Sequence, residues 1–533
     1  MKGKSGSPIR YSTSNNTYFM IGSAIFVLYI LMLSFTHSRV EAAITVPGFV
    51  VEPHTSSDQN QAIIATFKDA SIEGYGIKKR DETTAKAEDH LYDGTGYISY
   101  FFEEDEKATA QKGSTTFQVK APENGLYELS LGYYIPEGNG DKATSIQVNG
   151  SGAGELTLSA PKPGTVRAEK KMTKVLLNSG NNSIQILRGW GYYGIEYIKL
   201  ERVEPRITTQ KTKMDPLSNS KASPQAKALM KFMTNQYGKK IISGQQTLED
   251  ATWIYQQTGK YPALVSSDLM DYSPSRVENG STSNEVEKMM EWYKRGGIVS
   301  LSWHWNAPKG IGGNEPGHEW WRGFNTEFTT FDVEYALNHP ESEDYKLLIR
   351  DIDAIAAQLK RLQEHHIPVL WRPLHEAEGG WFWWGAKGPE PAKKLYRLMY
   401  ERLTEKHELN NLIWVWNSVK EEWYPGDDVV DMVSVDIYNP PGDHSPNIAK
   451  YDELLFLSKH KKLVGLAENG PIPDPDLLQT YGAHWSYFNT WTGDVLRDGK
   501  TNTKEHLKKV YNHDNVITLD ELPKGLYGSP RWK

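Results

Sequence analysis

The sequence predicts an α/β chain: a β-sandwich followed by a (β/α)8 TIM barrel. Three observations predict it. From about residue 63 to residue 202, short stretches alternate apolar and polar positions between turn residues. Beyond residue 224 the pattern changes to eight apolar runs, several of them separated by amphipathic helical segments. Between the two regions lies a polar, basic stretch carrying Pro216 and ending at Pro224, which reads as a linker.

In the first region Phe117 and Val119, Leu129 and Leu131, and Ile146 and Val148 recur at period two. Turn signals at Glu123-Asn124-Gly125 and Asn149-Gly150 separate these runs, the pattern of an antiparallel sandwich. In the second region the apolar runs are 240–243, 263–267, 297–303, 368–375, 412–417, 432–438, 463–468 and 485–490. Continuous apolar runs suit strands buried on both faces. Helical patterning is clearest over 345–365 and 392–406; in the first, Leu347, Ile349, Ile352, Ile355, Ala356, Leu359 and Leu362 fall near helical spacing. Eight such units in about 300 residues favour a closed barrel over an open doubly wound sheet. No Gly-rich phosphate loop follows the first run, which also speaks against a nucleotide-binding fold. The expected boundaries are 43–202 for the sandwich, 203–223 for the linker and 224–533 for the barrel.

Ahead of these lies 1–42, where Lys2, Lys4 and Arg10 precede an apolar stretch over 18–35 and then Val40-Glu41-Ala42. That order matches a secretory signal, with cleavage expected before Ala43. The alternative is an uncleaved anchor, since about 18 apolar residues just span a bilayer. Either way the folded part is expected outside the cytoplasm, with a membrane contact only if the segment is retained.

A composition of 38% apolar and 24% charged residues describes a soluble globular chain. The net charge of -7 provides no basic footprint for nucleic acid. The chain has no cysteine, so disulfides and thiolate metal sites are excluded. Of the 17 Trp, all but Trp190 lie beyond residue 250. Buried aromatics fill cores, whereas Trp on loops suits stacking on the flat C–H faces of sugars.

Function in a barrel sits at the C-terminal ends of its strands. Those ends carry Asp268 and Asp271 after strand two, Trp303-His304-Trp305-Asn306 after three, and His375-Glu376 after four. They carry Asp436-Ile437-Tyr438 after strand six, Glu468-Asn469 after seven, and Trp485 with Trp491 at strand eight. Any single Glu is by default a solvated loop residue. Two glutamates ending apolar strands that face each other across a barrel mouth suit glycoside hydrolysis. One carboxylic acid protonates the leaving oxygen and one carboxylate serves the other side of C1. Trp381 follows Gly379-Gly380 in a loop with Trp383 and Trp384 that has no periodicity, so the loop reads as a sugar platform rather than core. Glu378 lies past the strand end and reads as solvated. Trp414 and Trp416 alternate with Ile413 and Val415, so at least one is packing. His304, His375 and His484 lack close ligand spacing, and the chemistry needs no metal or other cofactor.

The blocks WRPLHEAEGGWFWWG (371–385), SWHWNAP (302–308), VSVDIYNP (433–440) and GLAENGP (465–471) closely resemble glycoside hydrolase family 26, whose best-known members are β-mannanases. The resemblance spans about residues 215–525. It implies a retaining mechanism with Glu376 as acid/base and Glu468 as nucleophile. It further implies that His375 hydrogen-bonds near the acid/base and that Tyr438 orients the nucleophile. Trp381, His304 and Trp303 would line the subsite of the reacting sugar, with Trp485 and Trp491 as further platforms. The implied partner is a plant mannan-type polysaccharide: mannan, glucomannan or galactomannan. The same apparatus also serves β-1,3-1,4-glucan and β-1,3-xylan in that family, and a non-catalytic carbohydrate-binding chain is the reading from another class. Taken alone, His375 could be a satisfied strand-end histidine and Tyr438 a core residue.

Gly94-Thr95-Gly96-Tyr97-Ile98 and 191–198 resemble carbohydrate-binding module family 35. That family implies an acidic stretch ligating calcium, but here Ala65-Thr66-Phe67-Lys68-Asp69 places Lys68 where a carboxylate is expected. An altered or metal-free site is the expectation. Trp190 and Tyr193, beside Tyr192, are the candidate sugar contacts of the module, with an aromatic cluster in the sandwich core as the alternative.

Overall fold

The computed structural model describes residues 62–74, 76–88, 91–100, 113–205 and 214–528. The segment read as a signal or anchor, 1–42, lies outside the described residues. Two antiparallel sheets form the sandwich. One runs Lys78–Asp81, Gly96–Ser99, Gly194–Arg202, Gly125–Tyr134, Arg167–Leu177, with Ile63–Thr66 also on Gly194–Arg202. The other runs Ser71–Glu73, Ser114–Ala121, Gly180–Trp190, Lys142–Val148, Ser151–Leu158. Phe117, Leu129, Leu131, Ile146, Ile184 and Ile198 meet between the sheets, as period-two strands require when one face is buried.

Eight parallel strands close the barrel. In order they are Gly244–Gln246, Leu264–Asp268, Ile298–Ser302, Val369–Arg372, Leu412–Asn417, Met432–Ile437, Leu463–Asn469 and Phe488–Thr490. Strand one differs from the expected run. The apolar pair Ile241–Ile242 leaves the cylinder to pair with Val516–Ile517, and the polar Gly244-Gln245-Gln246 takes its place. Between strands one and eight the ladder has a single register pair, Gln245 with Thr490. Side chains complete that seam: Gln245 Nε2 donates to the Thr490 carbonyl at 2.8 Å, and Asn489 Nδ2 to Gln246 Oε1 at 3.1 Å.

The long helix Glu343–Glu364 starts at Ser342, whose hydroxyl accepts the Tyr345 N–H, with Glu343 and Asp344 in its first turn. It buries Leu348, Ile352, Ile355, Ala356, Leu359 and Leu362. Leu347 and Ile349, expected on that face, flank it half-buried.

Part of the expected linker is pinned to the barrel. Asp431 accepts the Ser218 N–H at 2.6 Å, and the Asp215 N–H reaches the Lys461 carbonyl at 3.0 Å. The sandwich also touches the barrel directly. Leu126, with Leu176 and Val203, packs on Ile448, Leu477 and Tyr481, and the Leu126 N–H donates to the Tyr481 hydroxyl at 2.8 Å.

Candidate active site

A β-bulge aims the first carboxylate. Strands six and seven pair Val435 with Leu466 but Asp436 with Glu468, so Ala467 is the extra residue. With period-two alternation an unbulged strand would turn Glu468 outward. The bulge puts Glu468 beside Asp436 on the inner face. Burying two carboxylates requires a cation, and Arg372, at the end of strand four, supplies it. Its guanidinium donates to Asp436 Oδ2 at 2.8 Å and to Glu468 Oε1. The Tyr438 hydroxyl donates to Glu468 Oε2 at 2.6 Å, so each oxygen of Glu468 has a fixed partner. Burial and the surrounding carboxylates hold the Tyr438 phenol well above its usual range, protonated as that hydrogen bond needs.

Glu376 stands four residues beyond strand four, in a turn where Leu374 and Glu376 both have left-handed backbones, φ 51° and 52°. Such conformations cost a non-glycine residue about 1–3 kcal/mol and persist where neighbours impose them. Its N–H donates to Asn417 Oδ1 at 2.9 Å, and Trp381 Nε1 donates to its Oε2 at 2.9 Å. One carboxylate oxygen from each of Glu376, Asp436 and Glu468 lies within 4.8 Å of the others. Burial first, then the charges of Asp436 and Glu468, push the Glu376 carboxyl well above the ordinary carboxylate range. Asp436 is raised to about 7, by burial against the pull of Arg372. The site therefore sets a carboxyl pushed toward its protonated form next to a carboxyl whose two oxygens are clamped, an arrangement suited to acid-assisted glycosyl transfer.

The histidines form a second layer. His304 Nδ1 lies 2.5 Å from Asp268 Oδ2, and its Nε2 lies 3.1 Å from His375 Nε2. Burial and the charges of His304 and Arg372 keep His375 neutral. Burial raises the Asp268 carboxyl, but His304 and two backbone N–H groups outweigh it and hold it below its usual range. The rings of Phe382, Phe324 and Trp491 surround His304 at 5.4, 5.3 and 6.3 Å. Glu376, Glu468, His375, Tyr438, His304, Trp381 and Trp491 are thus brought to one mouth. His484 lies apart from the other two histidines, in the segment before strand eight.

Trp381 is the exposed ring of its loop, at 40%. A Cβ on Gly379 would meet its ring at 2.1 Å, so glycine there lets the indole fold back toward Glu376. The rest of the loop corrects the sequence reading. Trp383 and Trp384 are core: their Nε1 groups donate to the Trp305 carbonyl at 2.6 Å and the His375 carbonyl at 2.9 Å. Those bonds tie the loop down beneath Trp381. Glu378 is half-buried and bonded to the Ser418 hydroxyl rather than solvated.

Three further readings change. Trp303 is buried, with its ring stacked on Trp305 at 4.2 Å and its Nε1 on Ser273 Oγ; it supports the wall and offers no face to a sugar. Trp485 is 1% exposed and lies ahead of strand eight rather than within it. It packs on Tyr451, with Nε1 donating to the Pro446 carbonyl, so it is no platform. In the sandwich Tyr193 is 0% exposed, stacked on Tyr100 at 4.7 Å, its hydroxyl taken by Thr144 and the Gly189 N–H. It belongs to the core. The Trp190 side chain lies outside what is described. Both Trp414 and Trp416 pack outward on Tyr396. Asp69 Oδ2 is occupied by the Thr66 N–H and hydroxyl, and the Lys79 ammonium holds the Lys68 carbonyl. That stretch does not suit a cation.

Arg372 and Asn417 received no role from the sequence. The available signal was a charged and an amide side chain ending apolar strands, positions that demand buried partners.

Residues 218–521 match the profile of glycosyl hydrolase family 26, and residues 78–203 that of carbohydrate binding module family 35. The chain is 46% identical over 471 residues to a mannan endo-1,4-beta-mannosidase of Thermothelomyces thermophilus, spanning 88% of this chain and 92% of that one. It is 32% identical to mannan endo-1,4-beta-mannosidase B of Piromyces sp, over 86% of this chain and 76% of that one. Among solved structures it resembles a two-module beta-(1,4)-mannanase of Podospora anserina, at 45% identity and a TM-score of 0.60, covering 88% of this chain and all of that one. A beta-mannanase from a symbiotic protist of the termite Reticulitermes speratus, solved with a gluco-manno-oligosaccharide, is 32% identical with a TM-score of 0.54, covering 59% of this chain and 99% of that one.

Proposed function

The chain belongs to glycosyl hydrolase family 26, and from that premise we propose that it is an exported endo-β-1,4-mannanase acting with retention of configuration. Glu376 is the acid/base and Glu468 the nucleophile. The observation that carries this reading is the approach of one Glu376 and one Glu468 oxygen to within 4.8 Å. Retaining enzymes hold the two carboxyls about 5–5.5 Å apart, and inverting enzymes leave room for a water. In the first step a Glu468 oxygen bonds to C1, the C1–O bond breaks, and the Glu376 proton passes to the departing oxygen. In the second, Glu376 takes a proton from water as that water displaces Glu468. The charge of Glu468 disappears in the ester, so the acid that was held protonated becomes a base. Arg372 and Tyr438 fix the plane of the nucleophile, and Trp381 is placed to stack on the sugar beside Glu376.

The substrate class is mannan, glucomannan or galactomannan, which the relatives' activities support. The sandwich serves as a polysaccharide-binding module, in keeping with its profile match. The order of basic, apolar and small residues at the N-terminus supports export.

Azide rescue separates the two roles. Glu376→Ala should still form the glycosyl-enzyme from an aryl mannoside with a good leaving group and stall at its hydrolysis. Azide needs no base, so it should restore turnover and yield the β-mannosyl azide. Glu468→Ala has no nucleophile, and azide in its place should give the α-azide. NMR of the two products decides: a β product from both variants removes Glu468 from its role, and the reverse pattern exchanges the two.

A further inference from the structure

Asn417 ends strand five, between the two halves of the site. Val415 and Asn417 alternate with the outward Trp414 and Trp416, so the amide points into the barrel, where it is 2% exposed. An Asn amide offers one acceptor oxygen and two donor hydrogens. All three are used. Oδ1 accepts the Glu376 N–H at 2.9 Å, while Nδ2 donates to Asp436 Oδ1 at 2.9 Å and Ser434 Oγ at 3.1 Å. The neighbours fix the amide's orientation. A backbone N–H can only donate, so the Glu376 N–H must face an oxygen that can only accept. The Ser434 hydroxyl spends its proton on the Trp416 carbonyl at 2.9 Å, so toward Asn417 it too can only accept. A flipped amide would lose its bonds to both Glu376 and Ser434.

We propose that Asn417 is the positioning residue that sets the acid/base against the nucleophile. Resting on the roles proposed for Glu376 and Glu468, the inference extends them to a side chain that touches neither carboxylate. One end holds the N–H of Glu376 in its left-handed turn, where the backbone has easier conformations to adopt. The other end holds Asp436, which shares Arg372 with Glu468. A continuous path therefore runs from the Glu376 backbone through Asn417, Asp436 and Arg372 to the nucleophile. Loss of the amide frees the turn, and the Glu376 carboxyl leaves its line to the departing oxygen while Glu468 stays clamped by Arg372 and Tyr438.

Leaving-group dependence tests this in the full chain. The probes are mannohexaose, whose departing sugar needs a proton, and a dinitrophenyl β-mannobioside, whose phenolate leaves without one. Asn417→Ala should lower kcat/KM on mannohexaose by about 100-fold and on the aryl substrate by less than about fivefold. Asn417→Leu fills nearly the same volume without the hydrogen bonds and should show the same split should the alanine variant fold poorly. Equal losses on both substrates, in Asn417→Ala or Asn417→Leu, would make Asn417 a structural support only and overturn the proposal. The control is Glu376→Ala. If that variant shows no split, it is the role of Glu376 that has failed, and the two failures are told apart.

Discussion

The barrel and the sandwich each carry a glycine-aromatic run, and they use it in opposite ways. In the barrel, Gly379-Gly380-Trp381 turns one indole outward to the mouth while Trp383 and Trp384 anchor the loop below it. In the sandwich, the corresponding run turns Tyr193 inward, where its ring stacks on Tyr100 and its hydroxyl is consumed by the core. An aromatic run therefore states that apolar area is present and says nothing about which way it faces. What distinguishes the barrel loop is the charge beside it. Arg372, Asp436 and Glu468 are all buried, an arrangement whose desolvation cost a fold meets only through mutual pairing. The sandwich also pairs a buried carboxyl, Glu196, with an arginine, Arg167, but that cation is exposed and also reaches the exposed Asp93. Burial raises the Glu196 carboxyl despite its partner.

Removing the barrel's cation should produce the largest effect. Arg372→Met leaves the two carboxyls buried without their shared cation, with only the neutral donors Tyr438 and Asn417, a loss of about 3–5 kcal/mol, or about 10 °C in the barrel's Tm, together with loss of detectable turnover. Calorimetry and kcat check it. A barrel that melted within about 2 °C of wild type would show that the cluster is less dry than its geometry implies. The matching change in the sandwich, Tyr193→Phe, removes only a neutral hydroxyl and should cost about 1 kcal/mol.

Acid sharpens the contrast from another side. His444 and His506 stack at 3.4 Å in the barrel, and each has a ring nitrogen on the Ile472 carbonyl. Burial, with the opposing charge of its neighbour, depresses His444 to about 3, and burial depresses His506 to about 4. The unfolded chain takes up these protons below about pH 6.5 and the folded barrel does not. Their contribution is therefore complete above pH 6.5 and drains away as pH falls toward 4 and 3. At about 1.4 kcal/mol per unit, the barrel transition should drop by about 5–10 °C between pH 7 and pH 4. The described residues of the sandwich contain no histidine, and its transition should move less. A sandwich that melted first on acidification would refute this.

A smaller effect than either concerns the contact between the two regions, one that leaves the site itself untouched. Tyr481→Phe removes the acceptor of the Leu126 N–H and should cost about 1–2 kcal/mol. In a scan, this should appear as a separation of the sandwich and barrel transitions by a few degrees, with hydrolysis of soluble oligosaccharides unchanged. If the transitions do not separate, the apolar cluster of Leu126, Ile448 and Leu477 carries the contact without the hydroxyl.

The sequence revealed the elements whose burial is symmetrical and whose period is clean. Seven of the eight expected apolar runs overlap a barrel strand, because strands covered on both faces must be apolar throughout. Strand one escaped because a polar segment replaced an apolar neighbour that pairs elsewhere. The position of Trp485 followed from misplacing the start of strand eight by three residues. The glutamates stood out because a charge that ends an apolar strand is unusual. Asn417 did not, because an amide's role lies in whom it touches, and those partners come from the neighbouring strands four and six. The bulge at Ala467 leaves no mark in the residues themselves, yet without it Glu468 would face the helices.

The seam between strands one and eight has a further consequence. Seven joints of the cylinder are held by ladders of two to six register pairs, and the eighth by one pair and two side-chain amides. Local opening follows the least protected hydrogen bonds. Deuterium from solvent would therefore enter the barrel wall at Gln245 and Thr490 sooner than at strands four and seven. Strand seven is one strand away, joined to strand eight through Asn469 and Thr490. Breathing at the seam thus reaches Glu468 from behind, while the clamp of Arg372 and Tyr438 holds it from the front.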